Sequence, residues 1–221
     1  VLRADIAIGV FGMSVAAAVV VLCCASVWAQ PPASTVLNVE IFPGGEYNVW
    51  MNSQLWHQSG ATSITIQNQL YSTADGSLLL NATRNYIGAD NFLGTYNATE
   101  FRWTASDALS TPFVTTIYAY SYPSAAAANT FVFEQSFPAA VSTGASDLAS
   151  DTEVVSCFPS FIVNNPNAVT TLNYLTYYET FAYSHIGHWR NSPAFPGGNE
   201  GGSPVLWFDH ELNSLIMSPL K

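Results

Sequence analysis

Apolar and polar positions alternate in short runs along most of this chain, and the period is two. Thr35-Val36-Leu37-Asn38-Val39-Glu40-Ile41 alternates until Pro43-Gly44-Gly45 stops it, and Thr62-Ser63-Ile64-Thr65-Ile66-Gln67 does the same. Successive side chains of a strand point to opposite faces, so this period predicts half-buried strands. Further strands are predicted at 101–104, 113–121, 131–136, 154–163, 172–183, 204–208 and 214–218. Leu70–Tyr71 and Leu78–Leu80 flank Ala74-Asp75-Gly76, which reads as a hairpin turn with Gly supplying a positive φ. In the segment 112–123, Val114, Thr116, Tyr118 and Tyr120 face one way and Phe113, Thr115, Ile117 and Ala119 the other. Both faces carry bulk, as in a central strand covered on each side. The segment 172–184 behaves similarly. A terminal hairpin follows, with strands through Val205–Phe208 and Leu215–Met217 and a turn over Asp209–Asn213. No helix-period stretch of useful length appears after residue 30. The pattern predicts an all-β fold, an antiparallel β-sandwich.

Residues 6–29 break this pattern, because they are apolar throughout. Arg3 precedes them, and Val27 and Ala29 stand at −3 and −1 of a cleavage site before Gln30. This predicts an N-terminal signal-peptide helix over 1–29, with an uncleaved signal anchor as the rival, since the run is near the ~20 residues that span a bilayer. One sandwich domain then occupies 30–221. Ser124–Asn129 and Ala139–Asp151 read as surface connections, not interdomain linkers. The chain stops one Pro-Leu-Lys after an apolar hairpin, so it is expected to be the N-terminal part of a longer product.

Composition narrows the partners. Charged residues make up 9% of the chain against ~25% in ordinary soluble domains. Five Lys and Arg oppose fifteen acids, giving a net charge of −10. That balance repels phosphate backbones and excludes nucleic acid as a partner. Anionic membrane surfaces are excluded likewise, and membrane contact is expected only if the N-terminal segment is an uncleaved anchor. Cys23 and Cys24 leave with the signal, so Cys157 has no partner within the mature segment. It lies in an apolar run and reads as a buried thiol, with a partner beyond Lys221 as the alternative. Asn81-Ala82-Thr83 and Asn97-Ala98-Thr99 are N-glycosylation candidates. Signal and sequons together predict a secreted, extracellular protein.

No catalytic residue, metal site or cofactor is predicted. His185 and His188 would need a third ligand and match no zinc pattern. Asp209-His210-Glu211 sits between two strands, where Asp favours local backbone hydrogen bonds. No Gly-x-Ser-x-Gly elbow occurs, and the Gly-rich segment 196–202 precedes a strand, not the helix that a phosphate cradle needs. The aromatic set points instead to carbohydrate, because sugar rings pack on exposed aromatic faces. Of Trp50, Trp56, Trp103, Trp189 and Trp207, the last is expected in the core. Trp189 lies among polar groups, and with His188 and Arg190 it forms the predicted carbohydrate contact.

A series of motifs carries a family resemblance. It runs through Leu93-Gly94-x-Tyr96, Phe101-Arg102-Trp103, Phe131-Val132-Phe133-Glu134-Gln135-Ser136-Phe137-Pro138, Phe158-Pro159-Ser160-Phe161 and Pro204-Val205-Leu206-Trp207-Phe208-Asp209. Over about residues 35–221 this resembles the N-terminal, supersandwich-like β-sandwich of secreted proteins similar to raffinose synthases and α-galactosidases. In that family the sandwich precedes a (β/α)8 barrel. The resemblance implies a catalytic barrel downstream of Lys221 as a same-chain partner, with its two catalytic aspartates at strand ends. No position here corresponds to them. It also implies that the sandwich covers the barrel and lends loops, with 43–48 and 186–200 as candidates. The alternative is a stand-alone extracellular carbohydrate-binding or adhesion module. A purely structural sandwich is the third reading.

Overall fold

The alternating runs form strands, and strands only. The computed structural model describes residues 17–23, 37–91, 93–106, 113–121, 130–138, 156–162, 172–178, 183–188 and 204–220. They hold fifteen strands and no helix. These are β1 (Ala17–Cys23), β2 (Leu37–Ile41), β3 (Tyr47–Met51), β4 (Gln54–Gln58), β5 (Ser63–Ile66), β6 (Gln69–Ser72), β7 (Leu78–Asp90) and β8 (Gly94–Ala105). They continue with β9 (Phe113–Ser121), β10 (Thr130–Ser136), β11 (Ser156–Cys157), β12 (Asn173–Tyr178), β13 (Tyr183–His188), β14 (Val205–Phe208) and β15 (Ser214–Leu220). One sheet has nine strands in the order β13-β12-β14-β15-β1-β10-β9-β8-β7, and two have three, β11-β5-β6 and β2-β3-β4. Every pairing is antiparallel. No helix among the described residues is long and apolar enough to cross a membrane.

Local chemistry sets the turns. β3–β4 and β5–β6 are joined by two residues each, Asn52-Ser53 (φ 50° and 64°) and Gln67-Asn68 (φ 50° and 62°). Positive φ at both positions matches the twist of the flanking strands, and Asn tolerates it better than most residues. The β2–β3 turn uses Gly45 at φ 91°, and its amide donates to the Phe42 carbonyl at 3.0 Å.

The inner face of the large sheet presents Phe101, Trp103, Phe113, Ile117, Phe131 and Phe133, then Tyr174, Val205, Trp207, Leu215 and Met217. Opposite them lie Tyr47, Val49, Met51 and Trp56 from one small sheet and Ile64, Ile66 and Tyr71 from the other. Ring contacts bridge the sheets, Tyr47 to Phe133 at 5.1 Å and His57 to Trp207 at 4.8 Å. The Tyr47 hydroxyl donates to the Ser160 carbonyl and accepts from the Ser160 amide, each at 2.9 Å, which satisfies its one polar atom in the core. Each large apolar side chain buried here contributes ~1.5–3 kcal/mol. The all-β antiparallel arrangement is consistent with a β-sandwich.

Several elements differ from the expected ones. The Ala74–Gly76 turn does carry positive φ at Gly76, but it is not a hairpin, because β6 pairs with β5 and β7 pairs with β8. It turns the chain from one sheet into another. The run 172–183 is two strands, β12 and β13, paired with each other. Among the described residues of the run 154–163 there are only the short β11, the cis Phe158–Pro159 bond and an isolated bridge from Ser59 to Phe161. β7 and β8 are 13 and 12 residues long, well past the expected 78–80 and 101–104, because polar residues on an exposed hairpin hide the alternation. The expected surface connections 124–129 and 139–151 lie outside the described residues.

The apolar N-terminal run also departs from expectation. A signal-peptide helix is expected over 1–29, yet Ala17–Cys23 is extended. It pairs with β10 on one side and β15 on the other. Three successive valines, Val19 to Val21, favour the extended backbone, and two flanking strands supply hydrogen-bonding partners on both edges. The cleavage-site residues Val27 and Ala29 lie outside the described residues.

Candidate functional site

Register decides what meets on the outer face of the large sheet. Reading across β7, β8, β9 and β10, one row is Gly88, Tyr96, Tyr120 and Thr130. The next is Tyr86, Ala98, Tyr118 and Val132, and the third is Arg84, Glu100, Thr116 and Glu134. Their sequence neighbours Phe101, Ile117, Phe131 and Phe133 point into the core, so alternation turns these rows outward.

Three tyrosines thus converge around Tyr96. Its ring centroid lies 4.9 Å from Tyr118, 5.3 Å from Tyr120 and 6.3 Å from Tyr86, at interplanar angles of 89°, 63° and 80°. Edge-to-face contacts of this kind fix ring orientation. The distal end of Tyr96 lies over Gly88, whose missing side chain makes the room. Tyr120 packs with Val132, Leu93, Tyr96 and Tyr118 into a small apolar cluster separate from the main core.

Polar groups rim the rings. The Tyr120 hydroxyl donates to Asp90 Oδ2 at 2.6 Å, and the Leu93 amide donates to Asp90 Oδ1. Arg102 Nε donates to Glu100 Oε1 at 2.8 Å, and the Arg84 guanidinium stands 5.0 Å from the Tyr86 ring centroid. Partial burial raises the carboxyl pKa of Glu134; the charge of Glu100 adds to this and a hydrogen bond with Tyr118 opposes it. Burial raises the Tyr118 hydroxyl strongly, helped by its hydrogen bond with Tyr86. Tyr96 is raised too, through desolvation and then the charges of Tyr86, Asp90 and Glu134. Tyr96 and Tyr118 therefore stay protonated across the ordinary pH range, beside carboxyl groups. Aromatic surface with a few placed polar groups is the chemistry that binds a sugar, apolar C–H faces against rings and hydroxyls against carboxylates.

Of the predicted contact residues only His188 is among the described ones. His188 is exposed on β13, the far edge of the sheet, opposite Asn173. Trp189 and Arg190 lie outside the described residues. His185 and His188, three apart on a strand, project to opposite faces and cannot share one ion. Among the described residues no three of His, Cys, Asp and Glu are grouped to hold a metal. Asp209 is a turn residue as expected, buried, with Oδ1 accepting from the Glu211 and Asn213 amides at 2.9 Å each. Trp56, Trp103 and Trp207 are core residues. Trp50 is half-buried on the outer side of β3, where its Nε1 and Asn48 Nδ2 both donate to Glu40 Oε2. Asn81 and Asn97 are exposed, and Asn97 pairs across the hairpin with Ile87, which is 80% exposed.

The doubly covered β9 is borne out, with Phe113, Thr115 and Ile117 buried on one face and Val114, Thr116 and Tyr120 on the other; what sequence reasoning missed is that Tyr118 and Tyr120 meet Tyr96 of the neighbouring strand. The available signal was tyrosine at the same parity in three successive runs, Tyr86, Tyr96, and Tyr118 with Tyr120. Comparison with known proteins adds no relative, since no family model, curated protein or solved structure matches the chain.

Proposed function

We propose that the chain is a non-catalytic, carbohydrate-contacting β-sandwich, the supersandwich-like N-terminal part of a secreted carbohydrate-active protein similar to raffinose synthases and α-galactosidases. One observation carries this reading. Tyr86 and Tyr96 stand half-buried on the face of the large sheet turned away from the main core, beside Asp90 and Glu134. In this reading the reaction centre belongs to a barrel downstream, and the N-terminal segment directs export.

The second reading is a stand-alone extracellular carbohydrate-binding or adhesion module, and the same face favours it. The two differ in what the transcript encodes after Lys221. A continuation of about 250 residues with alternating strand and helix periods supports the first, and a prompt stop codon the second.

The test common to both is retention of the 221-residue chain on a panel of immobilised glycans, with soluble products followed in parallel. Binding without release of sugar is the expected outcome. A folded sample that stays unbound across the panel overturns the proposal.

A further inference from the structure

We infer that the ligand of the tyrosine face is an uncharged glycan segment seated against Tyr96, and that acidic polysaccharides are turned away. This rests on the carbohydrate-binding reading and adds the class of sugar and the residues that hold it. The first ground is charge. The rows that surround Tyr96 carry Asp90, Glu100 and Glu134 against Arg84 and Arg102. Arg102 is paired with Glu100 and Arg84 stands over Tyr86, so both cations are already engaged. A sulfate or uronate would meet three carboxyl groups against two guanidinium groups, on a chain whose net charge is −10.

The second ground is construction. Tyr96 is held by three rings that meet it at 63–89° and by its seat against Gly88, so its orientation is set before any ligand arrives. Asp90 is likewise fixed, by Tyr120 and by the Leu93 amide. A preorganised ring beside a preorganised carboxylate loses little freedom on binding, and each suits one part of a neutral sugar, its C–H face and its hydroxyls. An uncharged partner also predicts affinity that does not depend on salt.

Titration of the full chain with neutral and with uronate or sulfated oligosaccharides, at low and high salt, tests this. The expected result is binding to a neutral ligand, at least about tenfold weaker binding to the acidic ones, and no more than about twofold change with salt. Tyr96→Ala, which also uncovers Gly88 and lowers the unfolding midpoint, should weaken binding at least about tenfold in a sample that stays folded at the assay temperature, whereas Tyr96→Phe keeps the ring and restores it. Asp90→Asn, which keeps the shape and removes the charge, should weaken it several-fold. Neutral-sugar binding that ignores both Tyr96→Ala and Asp90→Asn overturns the inference and leaves the carbohydrate reading standing. A preference for acidic ligands also overturns it. Silence towards every sugar ends both, as does self-association through this face that Tyr96→Ala abolishes.

Discussion

Single residues carry two sharp consequences. His57 is buried between Phe161 and Trp207, at 5.0 and 4.8 Å, and desolvation lowers its pKa from 6.5 to about 3. The unfolded chain therefore takes up the proton first as pH falls. The contribution of neutral His57 is full above pH 6.5 and declines as pH drops towards 3, by at most ~1.4 kcal/mol per pH unit. Urea unfolding at pH 7 and pH 4 should show His57→Phe losing less stability than the parent chain. Equal losses in both would remove His57 as the acid trigger. Gly45 combines a φ of 91° with a buried neighbour, since an added Cβ would stand 2.7 Å from Trp103 Cη2 and Cζ2. Trp103 cannot give way, because it is buried and its Nε1 donates to Thr115 Oγ1 at 2.9 Å. Gly45→Ala should cost about 2–4 kcal/mol, read as a lower unfolding midpoint. At this scale the sequence was legible where chemistry is local. Asp209 announces a turn through its own carboxylate, and Trp207 announces the core through apolar neighbours. His57 gave no signal, because burial of an imidazole depends on strands from distant parts of the chain.

Strands were legible where one face is buried and polar residues fill the other, as in β2 and β5. β7 and the first half of β8 were not, because most of their residues are exposed and supply no apolar period. Tyr86 and Tyr96 of the candidate face lie on these elements, so only the shared parity of its tyrosines could disclose it in advance. Both edge strands of the large sheet repeat one device. Gly88 on β7 faces Tyr96, and Gly187 on β13 faces Tyr174, so a cross-strand ring covers each glycine. Rings placed in this way protect glycines that would otherwise weaken a strand. The two cases differ in how far the tyrosine can yield. Tyr174 is buried, whereas Tyr96 lies on the outer face. Gly187→Ala should therefore destabilise by roughly 1–3 kcal/mol, and Gly88→Ala by less. Paired thermal melts check the order, and equal costs would show that Tyr174 relaxes as freely as Tyr96.

At the scale of the molecule, the all-β class was legible from period and composition together, because alternation over short runs has few other solutions. Sheet membership was not, since the Gly76 turn looks the same in sequence whether it closes a hairpin or carries the chain between sheets. The position of β1 bears on the export expected of the N-terminal run. β1 stands between β10 and β15, so four strands lie on one side of it and four on the other. The seven residues that form it also belong to the apolar run expected to direct export. A peptidase cutting before Gln30 would remove the keystone of an arch, and the halves would have to close on one another or admit a replacement. If the run does direct export, maturation and architecture draw on the same stretch of chain, and Edman sequencing of the protein recovered from its producing cells would reveal which use prevails.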